Sequence, residues 1–286
     1  MPKILVDNIN LHYLQSGQGP DLVLVHGLGG NLAGWHLTMV PELQRHYRVT
    51  TYDLRGHGRS DATRSGYTTG DMAEDLRGLM DALSVGSARL VGHSWGADVV
   101  LHFALLYPER VSQIVLIEAA LLAPLADHYR RKDWEGWPYV MRTLEQLLGT
   151  PIPEDKRHDL QYLLRLLLEI PIMYGPAKGR ARDEETVLRV MEVLMPLWNG
   201  ADAAGELTLD ALSRIPHPAL LLSEASSTCR AAFEALRERL LRPTSALLPD
   251  GKIKHFSGLE HPELILHHVN AFLRPGSEPS ILDEAR

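Results

Sequence analysis

The sequence predicts an α/β protein with a mostly parallel, eight-stranded sheet and helices on both faces. Short apolar runs alternate with segments whose apolar residues recur at helical spacing, which is typical of parallel strands joined by crossover helices. The chain has 286 residues, 45% of them hydrophobic and 23% charged, so it is long enough to bury a large core. We therefore expect one large domain, or one domain that carries an insertion.

The order of the predicted elements follows from these two periodicities. A hairpin and six further strands are expected at 3–7, 9–17, 21–27, 47–53, 88–94, 112–120, 217–223 and 244–249. Helices are expected between and after them at 32–46, 69–83, 96–110, 229–241 and 262–273.

The alternation of strands and helices breaks between 120 and 212. That stretch contains leucine-rich helical segments, such as 157–170 and 183–198, and no predicted strand. We expect a helical cap at 120–212, inserted into a core made of 1–119 and 213–275. The polar tail at 276–286 is expected to be flexible.

Composition excludes several classes of function. The net charge of −7 offers no basic field for nucleic acid, and the longest basic cluster is 130–132. A single cysteine, Cys229, excludes an internal disulfide framework and a thiolate metal cluster. No metal-binding motif stands out, so no metal and no cofactor is expected. No apolar run reaches the ~18 residues of a membrane span, and we expect a cytoplasmic protein without membrane partners.

The strongest local motif is Gly-His-Ser-Trp-Gly at 92–96, between a predicted strand and a predicted helix. A turn of the form G-x-S-x-G in this context bends so tightly that glycines must flank the serine, whose hydroxyl then projects from the sheet edge. Ser94 is therefore the candidate nucleophile. The backbone N–H of Trp95 would lie at a helix N-terminus, where it can stabilise developing negative charge.

Four motifs in this order resemble the α/β-hydrolase fold family over residues 3 to 273: 26–30, 52–61, 92–96 and 254–273. The resemblance implies that Leu28, after the His-Gly pair, supplies the second amide of an oxyanion hole beside Trp95. It also implies that His26, Asp53, Arg55 and His57 hold loops together rather than react.

The family resemblance nominates His255 as the catalytic base among the 14 histidines. His255 follows the last predicted strand and precedes the Glu-x-Pro motif at 260–262, which usually sits shortly after the base. Lys254 stands where the family has a glycine. His261 is the alternative base.

The acid that would orient this histidine departs from the usual family pattern. Most members carry an aspartate beyond the strand that follows the cap, but Ser226 and Ser227 stand there, and Glu224 lies one step closer to the strand. Several dehalogenases and zearalenone-opening lactonases take the acid from the end of the preceding strand, which here nominates Glu118.

Glu118 is also unusual on physical grounds, because it is the single acid in the apolar run 115–124. Burial of a carboxylate without a partner costs several kcal/mol, so a partner is expected. That partner is the imidazole if Glu118 is the acid of a triad. Alternatively, Glu118 caps the first cap helix or pairs with an arginine, and Glu224 is then the leading candidate acid.

A serine nucleophile indicates acyl transfer, since relatives that displace halide or open epoxides use an aspartate instead. We expect cleavage of a carboxylic ester or lactone of a medium-sized apolar or aromatic small molecule. The cap supplies bulky side chains that are candidates for substrate contact, although most such residues simply pack. These candidates are Trp134, Trp137, Tyr139, Met173, Met191 and Trp198.

Two other classes of function stay open at this point. The same triad serves thioesterases, aminopeptidases and lyases, because one scaffold hosts many chemistries. A non-catalytic binding protein on the same scaffold is the third possibility, and the presence of both Ser94 and His255 argues against it.

Overall fold

The computed structural model describes residues 2–159, 162, 163, 166, 205–251 and 261–274. The candidate base His255, the expected cap helix at 183–198 and the expected flexible tail at 276–286 lie outside these residues.

Eight strands form one sheet, as the alternating sequence pattern predicts. Their order across the sheet is β1-β2-β4-β3-β5-β6-β7-β8. The strands are β1 Lys3–Val6, β2 Ile9–Ser16, β3 Asp21–Val25, β4 Arg48–Tyr52, β5 Ala88–His93, β6 Val111–Ile117, β7 Ala219–Glu224 and β8 Pro243–Leu248.

Strand direction brings the candidate residues to one edge of the sheet. The β1–β2 and β2–β4 pairs are antiparallel, and all pairs from β4 to β8 are parallel. Because His93 pairs with Ile117 and Ile117 pairs with Leu222, the next residues along β5, β6 and β7 emerge side by side. Active sites of open α/β sheets lie at this carboxyl edge.

Helices cover both faces of the sheet. They are α1 Ala33–Thr38, α2 Val40–Leu43, α3 Thr69–Ala82, α4 Trp95–Leu106, α5 Ala126–Arg130, α6 Trp137–Leu148, α7 Arg230–Arg239 and α8 Pro262–Leu273. Side chains of α1, α2 and α8 pack in one hydrophobic core, and side chains of α3, α4 and α7 pack in the other. This two-sided cover confirms the predicted fold class.

Two predicted helices are shorter than their apolar periodicity indicates. The segment 32–46 forms α1 and α2, which meet at Met39, with Pro41 in the first turn of α2. The segment 96–110 forms α4 and then a short 3₁₀ helix, Pro108–Arg110. Proline lacks an N–H and clashes with the preceding turn, so it ends a helix that the periodicity alone would continue.

The described part of the expected cap, 120–159 and residues 162, 163, 166 and 205–212, contains helices and loops and no strand. Trp137, Met141 and Leu144 of α6 pack with Ile152 and Leu163 in a small core of their own. Within the described residues, no helix is long and apolar enough to cross a bilayer.

Candidate active site

Ser94 lies at the turn between β5 and α4 with a backbone conformation that L-residues rarely adopt. Its φ is 53° and its ψ is −122°. Such a conformation costs on the order of 1–3 kcal/mol and persists only where neighbouring structure enforces it. Here the Ser94 N–H donates to the Ile117 carbonyl at 2.9 Å, which ties the turn to β6.

The glycines of the motif are required by close backbone contact. A Cβ on Gly92 would lie 2.5 Å from the Cα of Ala97, and a Cβ on Gly96 would lie 2.3 Å from the Val25 carbonyl oxygen. No side chain fits at either position. These contacts confirm the predicted reason for glycine at positions 92 and 96, since neighbouring backbone leaves no room for a side chain.

The loop after β3 packs directly against Ser94. A Cβ on Gly27 would lie 3.0 Å from the Cβ of Ser94, and the Gly30 N–H closes a turn onto the Gly27 carbonyl at 3.0 Å. Leu28 belongs to this turn. Trp95 is the first residue of α4, so its N–H has no acceptor within the helix and lies at the positive end of the helix dipole.

His26 holds this loop as a neutral side chain. Its Nδ1 donates to the Gly27 carbonyl at 2.8 Å, and its Nε2 accepts the Leu54 N–H at 3.0 Å. An acceptor nitrogen carries no proton, so these two contacts select one tautomer. Burial lowers the pKa of His26, which keeps the ring neutral. His26 thus has the loop-holding role that its position predicts.

Asp53 connects the same loop to the turn after β4. Its carboxylate accepts hydrogen bonds from the Leu32 N–H at 2.8 Å, the Arg59 N–H at 2.8 Å and His12 Nδ1 at 2.7 Å. Arg55 forms a buried two-pronged ion pair with Asp75, with both N–O distances 2.6 Å. Asp53 thus anchors the loop that carries Leu28, and Arg55 ties the turn after β4 to α3.

Glu118 lies immediately after β6 and is completely buried, with 0% of its surface exposed. Its φ is 51°, and its N–H donates to the Leu222 carbonyl at 2.8 Å. Its Oε1 accepts the backbone N–H of Glu224 at 2.5 Å, and its Oε2 accepts the hydroxyl of Ser227. The hydrogen-bond partners that a buried carboxylate requires are therefore present, and they come from the last residue of β7 and from the segment after it.

Glu224 is the last residue of β7 and is equally buried. The structure places both candidate acids at the carboxyl edge of the sheet, on neighbouring strands. Glu118 lies just past the end of β6, whereas Glu224 is still within β7 and pairs with Leu248 of β8.

Asp98, in the first turn of α4, is a buried acid that sequence reasoning missed. Its two oxygens accept the N–H groups of Leu121 and Leu122, each at 2.9 Å. The Tyr129 hydroxyl donates to the Ala120 carbonyl at 2.5 Å in the same loop. An acid within the apolar helix 95–106 was the available signal, of the kind that singled out Glu118.

Burial raises the pKa of Tyr129, and the nearby Cys229, Asp98 and Glu118 act in the same direction. The carboxylates therefore favour the protonated phenol, which keeps its proton available for the Ala120 carbonyl. Among the described residues, no cluster of three or more histidine, cysteine, aspartate or glutamate side chains is arranged to hold a metal ion.

The candidate base cannot be placed beside Ser94, because His255 lies outside the described residues. The alternative, His261, immediately precedes α8 with 41% of its side chain exposed. Its Nδ1 lies 3.9 Å from Glu263, an acid in the first turn of the helix that His261 precedes.

The described cap aromatics form a ladder of edge-to-face contacts. Tyr129 and Trp134 lie 5.2 Å apart, Trp134 and Trp137 5.4 Å, and Trp137 and His158 5.3 Å, between ring centroids. Trp134 and Trp137 also line a surface groove of about 530 Å³, whose lining contains neither Ser94 nor Glu118.

Tyr139 is half-buried on α6. Three of the residues nominated for substrate contact lie outside the described residues, namely Met173, Met191 and Trp198. The role of all these side chains in substrate contact stays a prediction.

A family model described as alpha/beta hydrolase fold matches residues 20–212. The chain belongs to the α/β-hydrolase fold family. A 2-(acetamidomethylene)succinate hydrolase of Mesorhizobium japonicum is 35% identical over 283 residues, which cover 95% of this chain and 94% of the relative.

Other curated relatives of this hydrolase match over a shorter region. An uncharacterised protein of Mycobacterium tuberculosis is 35% identical over 170 residues, and a 2-hydroxy-6-oxo-6-phenylhexa-2,4-dienoate hydrolase of Comamonas testosteroni is 32% identical over 158 residues. The match spans about half the length of these two relatives, 50% and 53%.

Solved structures of hydrolases superpose over most of the chain. An N-acyl homoserine lactone degrading enzyme has a TM-score of 0.70 at 24% identity, over 95% of this chain and 100% of that one. A hydrolase from Pseudomonas aeruginosa has a TM-score of 0.64 at 27% identity, over 96% and 98%. These similarities agree with the eight-stranded fold.

Proposed function

We propose that this protein is a serine hydrolase that cleaves a carboxylic ester or lactone of a medium-sized apolar or aromatic small molecule. The observation that carries the proposal is the strained backbone of Ser94 at the sheet edge, with Gly27 packed against it. Strain of this kind concentrates at functional sites, and this turn presents a serine hydroxyl next to two candidate oxyanion donors.

The proposed reaction begins when Ser94 Oγ forms a bond to the substrate carbonyl carbon and its proton passes to His255. The negative charge that develops on the carbonyl oxygen is stabilised by the N–H groups of Leu28 and Trp95. The bond to the alcohol oxygen then breaks, and that oxygen takes the proton from His255. Water repeats the same steps on the acyl-enzyme and releases the carboxylic acid.

Glu118 is the proposed acid of the triad. Its carboxylate is fixed by two donors at the edge where Ser94 lies, and a fixed carboxylate orients an imidazole and stabilises its cation. Glu224 is less suited to this role, because it is still part of β7, where it pairs with Leu248 of β8.

The cap supports an apolar or aromatic substrate. Its described part presents an edge-to-face array of Tyr129, Trp134 and Trp137, and Tyr139 lies on α6 together with Trp137. Met173, Met191 and Trp198 add apolar bulk in the sequence of the cap. Pockets lined mainly by apolar and aromatic groups select ligands of the same character.

Amide hydrolysis is the second candidate, and the Mesorhizobium relative favours it. That protein is named for hydrolysis of 2-(acetamidomethylene)succinate and matches nearly the whole chain at 35% identity. The same triad would serve, with His255 giving its proton to the leaving nitrogen instead of an oxygen. Thioester and lyase chemistry have no comparable support from the described residues.

The serine mechanism is tested with wild-type protein and a Ser94→Ala variant on a short-chain p-nitrophenyl ester. We expect Ser94→Ala to lose several orders of magnitude in kcat and to keep the wild-type melting temperature. Ser213→Ala is the matched control, since its exposed hydroxyl binds only the Asp210 carbonyl among the described contacts, and it should be fully active. A Ser94→Ala rate above about a tenth of wild type refutes the mechanism.

Two further measurements separate the substrate classes. A serine-reactive phosphonate should label Ser94, as peptide mapping would show, whatever the natural substrate is. A panel of aromatic esters, lactones and N-acyl enamines should give its highest kcat/KM with an ester or lactone. The highest value with an N-acyl enamine would replace the ester assignment with the amide one.

A further inference from the structure

The segment that follows β7 makes unusual contacts with the proposed acid. Ser227 is buried, with 6% of its surface exposed, and its hydroxyl donates to Glu118 Oε2. Its Oγ also accepts the backbone N–H of Cys229 at 2.9 Å.

These two contacts determine the direction of the hydroxyl proton. A backbone N–H can only donate, so at Cys229 the Ser227 oxygen is an acceptor. A hydroxyl has one proton, and the contact that remains for it is the carboxylate oxygen of Glu118. Hydrogen bonds to an ionised carboxylate are roughly twice as strong as neutral ones.

The last residue of β7 holds the other carboxylate oxygen. Glu118 Oε1 accepts the N–H of Glu224 at 2.5 Å, and the Ser227 N–H closes the turn onto the Glu224 carbonyl at 3.2 Å. Because both oxygens have fixed donors, rotation of the Glu118 carboxylate about its terminal bond would break both contacts.

We propose that Ser227 is a positioning residue for the proposed catalytic carboxylate, whose rotation it fixes. The proposal rests on the proposed function, since it takes Glu118 as the acid of the triad. The segment after β7 then contributes to catalysis without supplying the acid.

The surroundings of Glu118 predict how the loss of this donor changes the pH dependence. Besides Ser227, the described titratable groups nearby are Glu224 of β7, Asp98 of α4, Tyr129 of α5 and Cys229, which precedes α7. None of these described groups is a cation, whereas the Ser227 hydroxyl donates directly to Glu118 Oε2. Without it, the proposed triad of Glu118 and its histidine holds a proton more tightly, and the acid limb of kcat/KM moves to higher pH.

The test compares Ser227→Ala, Ser227→Thr and the control Ser213→Ala over a range of about pH 5 to pH 9, with melting temperatures measured in parallel. Ser227→Ala should lower kcat about tenfold to a hundredfold with little change in KM, the loss expected for a hydrogen bond to a charged group. The acid limb of the kcat/KM profile of Ser227→Ala should move to higher pH. Ser227→Thr keeps the hydroxyl and should return kcat and the limb toward wild type.

Two outcomes overturn the positioning role. One is a folded Ser227→Ala variant with wild-type kcat and acid limb. The other is a higher KM with an unmoved limb, which indicates a purely structural loop residue. If the alanine variant does not fold, Ser227→Cys gives the same test, since a thiol of similar size donates only weakly.

A Glu118→Gln variant distinguishes this inference from the proposed function. If Glu118→Gln is inactive and Ser227→Ala has wild-type activity, only the positioning role of Ser227 is refuted. An active Glu118→Gln removes the acid assignment, and the role of Ser227 fails with it.

Discussion

The most direct prediction concerns Asp98, which holds the loop after β6 at the carboxyl edge of the sheet. Its carboxylate accepts two buried backbone N–H groups, from Leu121 and Leu122, each at 2.9 Å. Asp98→Ala leaves both donors without this acceptor, at about 1–3 kcal/mol for each unsatisfied group, so that stability should fall by roughly 2–6 kcal/mol. Asp98→Asn keeps one acceptor oxygen and should lose about half as much.

The loss should also reduce activity, because the loop that Asp98 holds begins with Glu118. Glu118 and Leu121 both have left-handed backbone, with φ of 51° and 48°. Each such residue costs on the order of 1–3 kcal/mol and needs support from its surroundings. A loop released from Asp98 relaxes toward ordinary backbone angles, and kcat should fall while KM changes less.

Urea unfolding and thermal melting measure the stability, and a p-nitrophenyl ester measures kcat. With roughly 2 °C per kcal/mol for a chain of this size, Asp98→Ala should lower the melting temperature by roughly 4–12 °C. Asp127→Asn is the matched control, because its side chain is 96% exposed, and it should stay within about 0.5 kcal/mol of wild type. The same stability and kcat for Asp98→Ala and Asp127→Asn would refute the role of Asp98.

Two other predictions concern His26 and the two buried acids. Burial lowers the pKa of His26 below 6.5. The free energy of unfolding should therefore hold its full value above about pH 6.5 and fall as the pH drops below it. Urea midpoints measured against pH should show this slope, and His26→Gln should reduce it. An unchanged slope in His26→Gln would contradict this. Glu118→Gln should lose on the order of 10⁴ in kcat, because the amide favours the wrong imidazole tautomer, whereas Glu224→Gln should lose less than about tenfold. The opposite ranking in a kcat assay on one ester would make Glu224 the acid.

The sequence alone predicts most of the fold, because its main signals are local. Strand positions follow from short apolar runs, and all eight predicted strands overlap observed ones. The two helices that are shorter than predicted also have a local cause. Pro41 and Pro108 divide segments whose apolar periodicity continues past them, which shows that a missing N–H overrides a matching pattern.

Glu118 could be singled out from sequence because an acid in an apolar run conflicts with its neighbours. Its partners could not, since they come from distant parts of the chain. Ser227 is 109 positions away from Glu118, and Leu121 is 23 positions from Asp98. The register of β6 against β7 brings the first pair together, and no periodicity in either segment encodes that register alone.

The segment after β7 accordingly has a different part in this chain from the one usual in its family. Where many members place the acid, Ser227 donates to Glu118 and Ser226 binds Asp250, with its N–H 2.9 Å from Oδ1. Asp250 leads into the stretch that carries His255. This serine-rich turn thus contacts both Glu118 and Asp250, the residue that leads toward His255 in the sequence. Under the proposed role of Glu118, substitutions in this turn should affect kcat more than KM, because the turn contacts the proposed acid and is not part of the described cap.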